Sequence, residues 1–272
     1  MTPSIRSILL FSCTALSTLW PIADAAPVSP VALGASIVSR ALGGQDPVLP
    51  WVVEDFRKVL TETDKQVFAQ PLVGVQIESM SKLPSLGTNN DGVYRFSQKY
   101  DHAGKTFEKD DIILKVLKTV EDEGFAEVKA LKEVGEWVDS GLLTISGVSK
   151  PAIIMKAKPG EILVFNAYYK DHPDKQMKMA NDAKMQACKK AAKVASASNV
   201  FHWNASPAAG SFLVDVKDGA IASVELVDWG AAGIIFVQAV QEGKEKPSEA
   251  LFYELCFKGT TLYDIIRGRT GN

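Results

Sequence analysis

Phe212-Leu213-Val214-Asp215-Val216-Lys217-Asp218-Gly219-Ala220-Ile221-Ala222-Ser223-Val224-Glu225-Leu226-Val227 holds two apolar-rich runs around an Asp-Gly pair. Asp-Gly between alternating hydrophobic residues is a strong signal for a two-residue β-hairpin turn. A turn at Asp218-Gly219 pairs Phe212 with Glu225 and Val214 with Ser223, so that Phe212, Val214, Val216 and Ile221 share a face with Glu225. Further short apolar runs surround the hairpin and read as strands: Val200 to Trp203, Ile234 to Val240 and Ala250 to Phe257. Gly243 to Pro247 is a charged turn, and Thr260 caps a last helix carrying Leu262, Ile265 and Ile266.

Upstream the period is mostly helical. Pro173 to Ser196 places Lys175, Lys178, Asp182, Gln186, Lys189 and Lys193 on one face and Met185, Cys188, Ala192 and Ala195 on another. Thr106 to Gly124 is expected as a helix with Ile112, Val116 and Val120 in register, Asp110 and Asp111 in its first turn and Gly124 as its stop. Phe125 to Val138 repeats the pattern, and Pro50 to Leu60 is a shorter helix. Strands are expected at Val73 to Ile77, Val93 to Phe96, Leu142 to Ile145, Ala152 to Met155 and Ile162 to Phe165, with a loop from Ser81 to Gly92. The class is therefore α+β, with antiparallel hairpins in the C-terminal third packed against several helices. The globular region spans 46–272, with one candidate subdivision near 147–150.

The N-terminus has the layout of a secretory signal. Arg6 precedes the apolar run Ile8 to Trp20, and Ala23-Asp24-Ala25 supplies the small-residue cut, so residues 1–25 are expected to be removed. Residues 26–45 are small, Pro-bearing and nearly uncharged, and read as a flexible leader. No later stretch reaches eighteen apolar residues, so a secreted, extracellular protein is expected, with no membrane partner. Cleavage removes Cys13 and leaves Cys188 and Cys256, which form one disulfide in an oxidising compartment or remain as two buried thiols. Asn204-Ala205-Ser206 is a glycosylation sequon, followed by Pro207.

Thirty basic and thirty-two acidic residues give a net charge of −2, which argues against nucleic acid as the partner. The seven Lys against three Asp of Lys170 to Lys193 read as a solvated helix face. The three His have no metal-ligand spacing; HExxH, CxxC, GxSxG, P-loop and strand-following GxGxxG motifs are missing, so no metal and no cofactor is expected. His202 and Glu225 are the best acid–base candidates: a carboxylate among apolar neighbours has its pKa raised, as a general acid needs. The alternative is that Glu225 reaches solvent or a Lys, and that His202 donates to a backbone carbonyl. Tyr168, Tyr169, His172 and Trp203 form a candidate binding surface for carbohydrate or protein.

The signal at Arg6 to Ala25, the Pro/Ala/Ser leader and the motif-free body with two Cys resemble, as a layout, the small secreted effector proteins of plant-associated fungi. That resemblance implies a non-enzymatic protein that binds a host or extracellular protein. Tyr94-Arg95-Phe96 with Phe107 and Asp111-Ile112, and Gly210-Ser211-Phe212 through to Glu225, resemble stretches of guanyl-specific ribonuclease-like folds. The early Cys of that family is missing here and its catalytic set has no counterpart, so this second resemblance implies a non-catalytic relative. The competing functional expectations are a secreted hydrolase of RNA or polysaccharide using His202 and Glu225, and a structural surface protein.

Overall fold

Asp218 and Gly219 both take left-handed backbone, at φ 51° and 75°, and turn strand β10 (Phe212–Lys217) into β11 (Ala220–Leu226). The computed structural model describes residues 51–86, 89–206, 210–230, 233–239 and 248–258. The hairpin forms where the sequence placed it, but its register differs by one. A bulge at Asp215/Val216 pairs Phe212 with Leu226, Leu213 with Glu225 and Val214 with Val224. One extra residue reverses the facing of everything beyond it. Glu225 consequently sits opposite Leu213, on the other face from buried Phe212 and Val214.

Twelve strands and four helices make up the described residues, in an α+β arrangement. The largest sheet is antiparallel, in the order β2 (Ser81–Leu83), β3 (Asn90–Arg95), β6 (Ile112–Leu117), β8 (Val148–Lys156), β7 (Trp137–Ile145). Helix α1 (Asp122–Glu133) connects β6 to β7 and shares one core with Leu117, Ile153 and Met155 of the sheet. On the opposite face Ile112, Leu114, Val116 and Ile154 pack with Leu72, Phe96 and Tyr100. The short hairpin β4 (Tyr100–His102), β5 (Lys105–Phe107) precedes β6.

The remaining elements are α2 (Ala167–Asp171), the 22-residue α3 (Gln176–Ala197), α4 (Glu249–Lys258) and a second sheet, β1 (Trp51–Asp55), β12 (Ile234–Ala239), β9 (Val200–His202). The stretch 147–150 is the last turn residue, Gly147, and the start of β8. Ser146 and Gly147, both at positive φ, turn β7 into it, so a domain boundary there would cut one hairpin.

Five expected elements are corrected. The helix from Thr106 to Gly124 is strand β6 after the β4–β5 hairpin. Ile112, Leu114 and Val116 are fully buried on one face and Leu117 is buried on the other, so the run is apolar at both periods. Gly124 lies inside α1, where a Cβ would stand 2.8 Å from Leu117 Cδ1; the stop is Gly135, at φ 71°. Pro50 to Leu60 becomes β1 and a 3-10 turn (Phe56–Val59) capped by Asp55, because β12 offers an edge to pair with. Val73 to Ile77 is irregular and leads into a 3-10 turn, and Ile162 to Phe165 contains another. Ala250 to Phe257 is helix α4, and its buried Phe252, Leu255 and Cys256 have helical spacing. The turn at Gly243 to Pro247 and the helix after Thr260 lie outside the described residues.

Cys188 of α3 and Cys256 of α4 are disulfide-bonded across 68 positions of sequence. Closing a loop of that length stabilises the fold by about 4 kcal/mol in the chain-entropy account. The variant Cys188→Ala/Cys256→Ala is expected to melt roughly 10 °C lower by calorimetry; an unchanged midpoint contradicts that contribution.

Candidate functional site

Lys115 interrupts the apolar run of β6, and the strand's two-residue period points it toward α1. Glu127 is on the helix face that meets the sheet and is 4% exposed. The Lys115 ammonium donates to both Glu127 oxygens, at 2.7 and 2.9 Å. Its third hydrogen bond goes to Asp228 Oδ1 at 3.1 Å. An ammonium has three N–H donors, so these partners satisfy it.

Asp228 follows β11 and adopts left-handed backbone, at φ 59°. Asp tolerates that region better than most side chains, but a non-glycine residue there still marks a held conformation. Trp229 holds it in place. The indole is 2% exposed, and its N–H donates to Glu136 Oε2 at 3.0 Å. Lys158, just beyond β8, pairs with the other Glu136 oxygen at 2.6 Å. Behind Trp229, His202 packs edge-to-face at 5.3 Å, and its Nε2 donates to the carbonyl of Val227 at 3.0 Å. His202 Nδ1 is buried with no partner among the described residues.

All of these side chains except His202 line a cleft of about 140 Å³. Val93, Ile113, Met155, Leu213 and Val227 supply apolar walls, and Pro84 to Leu86 lie at its side. Lys115, Lys156 and Lys158 line it together with Glu127, Glu136 and Asp228. An apolar slot with a few convergent polar groups is the usual form of a small-molecule site, although such sites are commonly about 300–1,000 Å³, so a ligand larger than a single ring has to extend beyond this slot.

Burial lifts the Glu127 carboxyl above its ordinary value, with Asp228 adding to it; Lys115 opposes them. The two carboxylates hold the Lys115 ammonium above its ordinary value against the desolvation that burial imposes. Burial pushes the His202 imidazole down, so it is neutral with the proton on Nε2. A depressed His contributes stability above its unfolded value of 6.5 and loses it as pH falls below that. The stability difference between wild type and His202→Gln, read from denaturant midpoints, is therefore expected to shrink from pH 7.5 to pH 5. A difference independent of pH would show that His202 is not held neutral.

The structure does not join His202 to Glu225. Glu225 forms an ion pair with Lys190 of α3, and it is not a wall of the cleft. Tyr168 stacks on His172 with ring centroids 3.8 Å apart, and its hydroxyl occupies the space a Cβ on Gly219 would need. Tyr169 and Trp203 pack partly buried against the main core. Asn204 is half-buried two residues beyond β9. None of these five residues lines the cleft.

Lys115, Glu127, Glu136, Lys158 and Asp228 escaped the sequence reading. The signals were present: a lone Lys in an apolar strand, a Glu on the inner face of an amphipathic helix, and Asp228-Trp229-Gly230 closing an apolar strand. They gain meaning together only when β6, α1 and the end of β11 meet. No protein-family model matches the chain, and no curated protein matches its sequence.

Proposed function

We propose that the cleft binds a nucleotide in the manner of protein kinases, in a protein that no longer transfers the phosphoryl group and acts by binding. The observation that carries this reading is the Lys115–Glu127 pair with Asp228 on the same ammonium. Protein kinases hold the nucleotide phosphates with a strand lysine paired to a glutamate of the following helix, and with the aspartate of an Asp-Phe-Gly segment. Here β6 supplies the lysine, α1 the glutamate, and Asp228-Trp229-Gly230 the segment. The apolar walls at Val93, Ile113 and Leu213 suit a planar base.

The kinase catalytic loop reads His-Arg-Asp, and its Asp accepts the proton of the attacking hydroxyl. We read His202-Trp203-Asn204, at the end of β9, as the counterpart of that loop. An amide at Asn204 cannot accept the proton as a carboxylate does, which removes the base. Binding without transfer agrees with a secreted effector-type role, directed at a host or extracellular protein. The signal-like start and the buried disulfide support export. A mature chain beginning at Ala26 in the medium of an expressing cell tests that part.

Calorimetric titration with ATP tests the cleft. Saturable binding is expected for the wild type. It is expected to be lost in Ile113→Phe, which fills the slot and leaves the ion pairs intact. Equal binding by the two proteins would place the nucleotide elsewhere or nowhere.

A further inference from the structure

Resting on that nucleotide reading, we infer that the cleft takes its nucleotide without a divalent cation. Protein kinases hold their metal ions with two side chains, the aspartate of the Asp-Phe-Gly segment and an asparagine five residues after the catalytic aspartate. Counting five from Asn204 in the sequence gives Ala209, whose side chain has no donor atom. Gly210, Ser211 and Phe212 follow, again without a carboxylate or amide side chain. Among the described residues no group of three or more His, Cys, Asp or Glu side chains is placed to hold a metal ion. Of the two metal-holding positions only Asp228 keeps a donor side chain, and the cleft's other carboxylates, Glu127 and Glu136, are held by Lys115 and Lys158, so the set does not fit a resident metal pair.

Asp228 is also already engaged. Its Oδ1 accepts from Lys115 at 3.1 Å, the longest of the three bonds that ammonium makes. The side chain is 46% exposed, whereas Glu127 is 6% exposed. An incoming phosphate oxygen competes for the N–H given to Asp228, because that bond is the longest and its carboxylate can turn to water. The buried Glu127 contact stays. The phosphate then takes its countercharge from the lysines of the cleft, Lys115, Lys156 and Lys158. In this arrangement Asp228 is the anion the nucleotide displaces, where in a metal-dependent site it would be the anion that holds the cation.

The two arrangements give opposite signs for one substitution. Asp228→Asn keeps the shape, and Asn accepts left-handed backbone at least as readily as Asp. Binding of trinitrophenyl-ATP, followed by fluorescence and displaced with unlabelled ADP, is measured in EDTA and in excess magnesium for the wild type and Asp228→Asn. The expected result is a wild-type Kd that agrees within about twofold between the two buffers and falls in Asp228→Asn, by up to about tenfold for one removed like charge. Magnesium tightening the wild-type Kd by about tenfold or more, with that gain lost in Asp228→Asn, would overturn the inference and leave the nucleotide reading standing. A folded wild type that binds the probe in neither buffer would overturn the nucleotide reading itself.

Discussion

Lys115→Met is expected to cost about 3–5 kcal/mol at neutral pH, the range for removing one partner of a buried ion pair. Lys115 and Glu127 side chains are 11% and 6% exposed, so water does little to screen the loss. Methionine fills much of the lysine stem's volume, which confines the change to charge. Glu127 is then buried without its cation, and its carboxyl, already raised by burial and by Asp228, rises further. A raised acid contributes stability below its unfolded value and loses it as pH climbs through the folded value. The deficit of Lys115→Met should accordingly be small near pH 4.5, the ordinary value for Glu127, and grow toward pH 7. The double variant Lys115→Met/Glu127→Leu should recover most of it, because replacing both partners by apolar groups removes the uncompensated charge. Urea midpoints across pH for the three proteins check this. A deficit that is flat with pH and persists in the double variant would mean that shape, and not charge, is what Lys115 supplies.

Trp229→Ala is expected to be comparably severe, at about 3–5 kcal/mol for a buried large aromatic. The indole is packed on His202 and donates to Glu136, which also holds Lys158. Removing it opens a void next to Asp228 and frees the left-handed backbone there. Trp229→Phe keeps most of the volume and deletes the N–H. Its cost should be about 1.5–3 kcal/mol, typical of a hydrogen bond to a charged group, reduced because Lys158 still satisfies Glu136. The ordering Ala worse than Phe in denaturant midpoints is the outcome that follows from packing; equal costs would assign the whole effect to the hydrogen bond.

The C-terminal hairpin was legible because Asp218-Gly219 is a local signal that names its own turn. Helix α3 was legible from its helical spacing: Cys188, Ala192 and Ala195 are buried as expected, while Met185 is only partly buried and Met179, Ala183, Ala187 and Ala191 complete the inner face. The register of Glu225 was not, since the bulge at Asp215/Val216 has no sequence marker. Strand β6 was not, because a central strand buried on both faces satisfies helical and strand periods alike. Helix α4 resembles a strand in sequence because its apolar residues run nearly unbroken, and its buried spacing emerges only against α3. The site suffered most. Lys115, Glu127 and Asp228 come from a strand, a helix and the loop after β11, and the separation of 113 positions between Lys115 and Asp228 offers no local motif that links them. His202 attracted the reading as a lone histidine, while its structural place is behind Trp229, bonded to the Val227 carbonyl.

A crystal structure of the protein soaked with ADP tests the nucleotide cleft most directly. The expected density places the base between Val93, Ile113 and Leu213, with a phosphate oxygen within hydrogen-bond distance of Lys115 Nζ and Asp228 released from it. A cleft that stays empty at saturating ADP, with the Lys115–Asp228 contact unbroken, would contradict the account.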